Sequence, residues 1–149
     1  MDLPAPSPEN PALFLPAFAL FWCGICMLIS RVGGWRALGR FYRLQGRFDG
    51  ERWYLRSGSM GLANYNGCLT LGADAGGLCL AVLFLFRPGH PPLLIPWRDV
   101  TVEPYRMVFL FHRVKLGFRE TPSVSLRISR GLADKLAGAS GGRFRVPGP

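Results

Sequence analysis

The sequence predicts an α+β protein built in line: a transmembrane helix, an amphipathic juxtamembrane helix, then a small, mainly antiparallel β domain of about seven strands with a C-terminal helix. Three observations carry this. Residues 12–29, ALFLPAFALFWCGICMLI, hold eighteen positions without a charge. From Phe48 the apolar spacing drops to two, the period of a strand. After Ser129 it returns to a helical spacing and soon stops. With 149 residues in all, one span leaves room for one domain of about 100 residues.

Residues 1–11 are Pro-rich and carry Asp2 and Glu9. That proline spacing excludes a helix and predicts a disordered tail. Residues 12–30 form the span, because a hydrocarbon core about 30 Å thick takes roughly 20 apolar residues in a helix. Pro16 falls in its first turns, where a missing donor costs least. The start is acidic and no small-x-small site follows Ile29, so an uncleaved anchor is expected rather than a signal peptide. Five Arg and no acid lie between Arg31 and Arg47, whereas the tail before the span has no Lys or Arg. The positive-inside rule then gives a single-pass protein of the cell inner membrane, N-terminus outside and domain in the cytoplasm.

Residues 31–47, RVGGWRALGRFYRLQGR, are read as one amphipathic segment. At 100° per residue, Arg36, Arg40, Arg43 and Arg47 fall within about 60° of each other. Trp35, Leu38 and Tyr42 fall on the other side, and Gly33-Gly34 offers a hinge. Two readings stay open. In one, the arginines meet the anionic inner leaflet while Trp35 and Tyr42 anchor at headgroup level. In the other, the aromatic side packs onto the domain and the arginines only fix topology.

The domain, residues 48–140, reads as a run of short strands. Residues 51–57 alternate, with Trp53 and Leu55 on one face. A bend follows at 57–61, and Asn64-Tyr65-Asn66-Gly67 carries an Asn-Gly turn signal. Residues 68–71 and the apolar run 78–86, LCLAVLFLF, form a hairpin across a Gly-rich turn. Nine residues are too few for a second helical span, so 78–86 is expected to be a core strand. Residues 93–97 form a short strand, placed at an edge by Pro96, which lacks a donor. Residues 98–103 alternate again, and 105–114, YRMVFLFHRV, read as one long strand. Val124, Leu126 and Ile128 share a face of the last strand. Ser129 caps a helix over 130–139, with Leu132, Ala133 and Leu136 on its apolar side. Residues 141–149 are a polar tail. Several hairpins followed by one helix predict a bent sheet or small barrel closed at one end.

The chain carries 18 Lys and Arg against 9 Asp and Glu, a formal charge of +9. Such an excess attracts anionic lipid or nucleic acid. The span favours lipid, and the aromatics sit in core-like alternation rather than on a basic face, which disfavours nucleic acid. Cys23 and Cys26 fall in the span, and Cys68 and Cys79 show no paired spacing. Two separated histidines, His90 in a loop and His112 in a strand, give no metal signature. No cofactor or metal is expected, and no G-x-S-x-G, P-loop or H-E-x-x-H is present. A Cys68–His90 dyad is the one catalytic pair left open, since such partners meet only in the fold.

Gly77-Leu78-Cys79-Leu80 followed by Ile95-Pro96-Trp97-Arg98-Asp99-Val100 resembles the central hairpin and next strand of pleckstrin-homology-like and GRAM-like domains. Gly34-Trp35-Arg36-Ala37-Leu38, Asn64-Tyr65-Asn66-Gly67-Cys68-Leu69-Thr70 and Gly89-His90-Pro91-Pro92-Leu93 resemble small uncharacterised bacterial single-span proteins with such a domain. The resemblance covers about residues 31–140. It implies binding of lipid headgroups, peptides or proteins, with Arg52 and Arg56 nearest to the family's basic patch in the first hairpin. Fold and residues together give an expectation of a membrane-anchored, non-enzymatic interaction module. Its partner is a protein or anionic lipid of the inner leaflet, with Asn64, Tyr65, Asn66 and His90 in possible binding loops. The alternative is a small membrane-bound hydrolase or thiol enzyme using Cys68 and His90.

Overall fold

The computed structural model of the protein describes residues 11–107 and 111–146. The expected disordered tail falls, but for Pro11, outside the described residues. Helix α1 is Pro11–Gly33, and its stretch Ala12–Gly33 is long and apolar enough to cross a membrane. Only 6% of its most apolar window is buried in the protein, so this is no core helix of a soluble fold. Leu13, Leu15, Phe18, Leu20 and Phe21 are all exposed. The last turns behave differently, with Cys26 and Ser30 buried. Gly34 then takes φ +88°, a left-handed conformation that ends α1 and starts α2, Trp35–Tyr42.

Seven strands follow: β1 Glu51–Met60, β2 Ala63–Ala73, β3 Gly77–Val82, β4 Leu93–Pro96, β5 Val100–Met107, β6 Phe111–Phe118 and β7 Ser125–Ser129. They form one antiparallel sheet in the order β4-β3-β2-β1-β7-β6-β5. The strands at its two edges, β4 and β5, are joined only by the 3-10 turn Trp97–Asp99. Three residues cannot cross a flat seven-stranded sheet at 4.7–4.9 Å per strand, so the sheet curls until its edges meet and forms a near-barrel. The interior holds Leu69, Leu71, Leu78, Leu80, Ile95, Leu116, Leu126 and Ile128, all fully buried. Helix α3, Arg130–Ala139, packs on β2, β6 and β7 with Leu132, Ala133 and Leu136 inward. Ser129 caps it, its Oγ accepting from the Leu132 N–H at 3.2 Å.

Several expected boundaries move. The run 78–86 stops being a strand after Val82, and Phe84–Phe86 turns out of the sheet as a 3-10 turn. The run 105–114 is two strands, because β5 and β6 pair from Val100↔Phe118 to Met107↔Phe111. An apolar stretch without Gly or Pro conceals a hairpin from a periodicity reading. Residues 97–99 are helical rather than strand, so alternation starts at Val100. Asn66-Gly67 is not a hairpin turn, since both lie inside β2. Gly67, at φ +68°, sits where the pairing with β1 slips, and its N–H bonds Ser57 Oγ at 2.8 Å. The residues suited to a tight turn serve here as a bulge. A second slip at Tyr54 and Leu55 gives Leu55 φ +55° and turns it out, 64% exposed, rather than into the core. In the polar tail, Phe144 is buried and stacks on Trp97 at 4.9 Å.

Candidate functional site

The juxtamembrane segment is not one helix. Helix α2 covers residues 35–42 only; Arg43 bridges to Leu93 of β4, and Arg47 lies in the following loop. Arg36, Arg40, Arg43 and Arg47 are all exposed, but as two residues on α2 and two beyond it. Arg47 pairs with Asp49 at 3.0 Å. Trp35 and Tyr42 correct the anchor reading, because both rings are buried in the protein and neither is offered to a bilayer. Trp35 Nε1 donates to the Pro91 carbonyl at 2.9 Å. Tyr42 donates to Asp99 Oδ2 at 3.2 Å and accepts from the Glu120 N–H at 3.0 Å. With buried Leu38, these side chains make α2 a plug in the barrel, fixed at both ends by hydrogen bonds.

Two of the expected binding-loop residues belong to the same buried joint. His90 Nδ1 meets the Pro88 carbonyl at 3.0 Å, which accepts only, so Nδ1 carries the proton. Nε2 is then an acceptor, and the Tyr65 hydroxyl donates to it at 2.9 Å. The Tyr65 and His90 rings both pack on Trp35, at 5.7 and 5.2 Å. Burial pushes the Tyr65 hydroxyl well above its ordinary value and pulls the His90 imidazole below 6.5. An unfolded His90 titrates near 6.5, so below that pH the unfolded chain binds the extra proton. We expect stability to be flat above pH 6.5 and to fall below it, by up to about 1.4 kcal/mol per pH unit. His90→Asn should remove that slope in unfolding curves taken from pH 5 to 7.

The Cys68–His90 pair does not form a thiolate–imidazole dyad. Both His90 nitrogens are engaged elsewhere, and burial raises the Cys68 thiol above its ordinary value. Cys79 is pushed up to about 11, also by burial. Cys26 is buried within the protein. Among the described residues, no three His, Cys, Asp or Glu side chains converge as metal ligands. His112 pairs with Arg106 through the backbone, and its side chain lies outside the described residues.

The other two expected loop residues, Asn64 and Asn66, line a groove of about 500 Å³. Its origin is in the sheet. Strands β1 and β7 pair only at Ser59↔Arg127 and Met60↔Leu126, then part where β1 bulges. The gap is lined by Arg56, Arg113 and Arg127, with Ser57, Ser59 and Ser129, and is floored by Ile128 and Leu132. No acid lines it among the described residues. Among the described residues Arg56 Nε is buried without an acceptor, a donor left over at a basic gap. Arg127 is held by its bond to the Gly61 carbonyl at 3.1 Å. Three guanidinium groups with hydroxyls and amides around them suit a phosphate or carboxylate, which accepts in pairs. Arg52, read as part of this patch, instead turns back on the Phe48 carbonyl and ring.

Arg113 and Arg127 were not expected here. Arg127 alternates with Leu126 and Ile128 in the last strand, and Arg113 falls in the run 105–114 that reads as one long strand. Only the register Arg113↔Ser129 brings them to one face, next to β1.

The groove is close to the end of α1. The β1–β2 turn that holds Arg127 through Gly61 also meets the last turn of α1, where the Leu62 N–H bonds the Val32 carbonyl at 3.3 Å. No family model matches the chain, and no curated protein or solved structure matches it.

Proposed function

We propose that this protein is a single-span, membrane-anchored interaction module with a pleckstrin-homology-like domain on the cytoplasmic face. Its groove between β1 and β7 takes the anionic headgroup of a lipid in the inner leaflet. The observation that supports this reading is the acid-free groove of Arg56, Arg113 and Arg127, one turn away from the span's arginine-bearing end. Arg31, exposed at that end, and Arg36 and Arg40 on the outer side of α2 add positive charge at the same level. Orientation by the arginine excess puts this charge on the side with anionic lipid.

The test uses the full chain in neutral detergent, titrated with short-chain phosphatidylglycerol or phosphatidylcholine. The wild type should bind the anionic lipid preferentially. The variant R56Q/R113Q/R127Q should lose about 100-fold in that affinity, at about 1 kcal/mol per cation. Equal binding of the two lipids, or an unchanged affinity in the triple variant with its fold intact, would sink the proposal.

A further inference from the structure

The 3-10 turn Phe84–Phe86 projects from the barrel beside α1. Phe84 is 69% exposed and Leu85 51% exposed, two consecutive large apolar side chains. Both lie beside α1. Trp22 Nε1 donates to the Leu85 carbonyl at 2.6 Å, and the Trp22 and Phe86 rings meet at 5.4 Å. Ser30 Oγ donates to the Gly89 carbonyl, so the loop is held to α1 at a second point two turns along the helix.

These contacts fix a depth. Trp22 precedes Arg31 by nine residues, about 13 Å along a helix rising 1.5 Å per residue. If Arg31 marks the headgroup level, the turn sits roughly 13 Å into a leaflet whose hydrocarbon is about 15 Å thick. A tilt of 40° still leaves about 10 Å. We infer that Phe84, Leu85 and Phe86 lie among the acyl chains of the inner leaflet, as a wedge alongside the span. This rests on α1 crossing the membrane as proposed above.

The usual objection is that irregular backbone in hydrocarbon leaves polar groups unpaired. Here three successive carbonyls are satisfied: Leu83 by the Phe86 N–H at 2.8 Å, Phe84 by the Arg87 N–H at 3.3 Å, and Leu85 by Trp22. The Trp22 N–H, otherwise bare within the span, is satisfied by the same bond. Arg87 is exposed directly after the turn and can extend its charge back to the headgroups. The same contacts explain why the apolar run 78–86 continues after its strand has ended. Its first part fills the barrel, and its last part meets lipid.

The experiment places a photo-crosslinking phenylalanine analogue, one position at a time, in the full chain reconstituted in phospholipid vesicles. Position 85 is the probe and 84 its duplicate. Phe18 reports the span itself, and Asp134, exposed on α3, reports the aqueous side. Lipid adducts are read by mass spectrometry. We expect adducts at 84 and 85 within about twofold of those at 18, and about tenfold above those at 134. Adducts at 18 with none at 84 or 85, or crosslinks at 85 to a protein instead of lipid, overturn the wedge and leave the anchor standing. An absence of lipid adducts at 18 overturns the anchor and the wedge with it.

Discussion

Replacing Trp35 with alanine lowers the stability of the domain by about 3–5 kcal/mol, the cost of removing a large aromatic ring from a closed site. Trp35 has no exposed surface, touches the Tyr65 and His90 rings and bonds the Pro91 carbonyl. For a domain of this size the midpoint of thermal unfolding should drop by more than about 10 °C. Unfolding of the detergent-solubilised chain, followed by fluorescence of Trp53 and Trp97, checks this. The paired variant R36Q/R40Q, exposed on the same helix, should stay within about 0.5 kcal/mol of wild type. A Trp35 seated in lipid headgroups would give the opposite result, an unmoved midpoint with a change in membrane behaviour. The residue tells apart two roles for α2: plug of the barrel or float on the leaflet.

Gly34→Ala is expected to cost about 3 kcal/mol, and by two separable routes. A side chain at φ +88° carries a penalty of about 1–2 kcal/mol. The added Cβ would also come within 2.5 Å of a Val124 methyl, an overlap worth about 1–3 kcal/mol. The double variant G34A/V124A therefore recovers the second part relative to G34A, once the cost of V124A alone is subtracted. Full recovery would show that the backbone carries no strain there. No recovery would show that α2 docks without touching β7's approach. This kink turns the chain from α1 onto the barrel within one residue. Damage to it should loosen both the domain and its seat on α1.

Much of the architecture was legible because it depends on local patterns. An uncharged stretch of eighteen residues favours one continuous apolar helix, and α1 forms there. Alternation located β1, the start of β5 and β7, and Ser129 marked the start of α3. Misreadings occurred where one pattern serves two structures. Asn66-Gly67 suits any left-handed backbone, in a turn or a bulge. The run 78–86 is apolar throughout and 105–114 is apolar at its centre, and periodicity cannot show where such a run leaves a strand or reverses.

The candidate site was half legible. Asn64, Asn66 and Arg56 were singled out from sequence and line the groove. Tyr65 and His90 were singled out with them, yet they hold α2 to the barrel. In a strand, neighbours in sequence point to opposite faces, so Asn64 and Asn66 turn outward while Tyr65 turns in. Arg113 and Arg127 needed the β6–β7 register to be recognised as partners of Arg56.

A membrane-length apolar helix, a basic segment after it, and an α+β domain of short strands ending in a helix are readable from the residues alone. These follow from length, charge and period, which are properties of contiguous residues. What the aromatic side of 35–42 touches, where the basic groove opens, and how Phe84–Phe86 comes to lie beside Trp22 emerge only in the folded chain. Each of those depends on residues about sixty apart in the chain. A helix with one apolar face can bury it in lipid or in protein, and its own residues are the same in both. The choice belongs to the surface that meets it, here a barrel whose end is completed by Trp35, Leu38 and Tyr42.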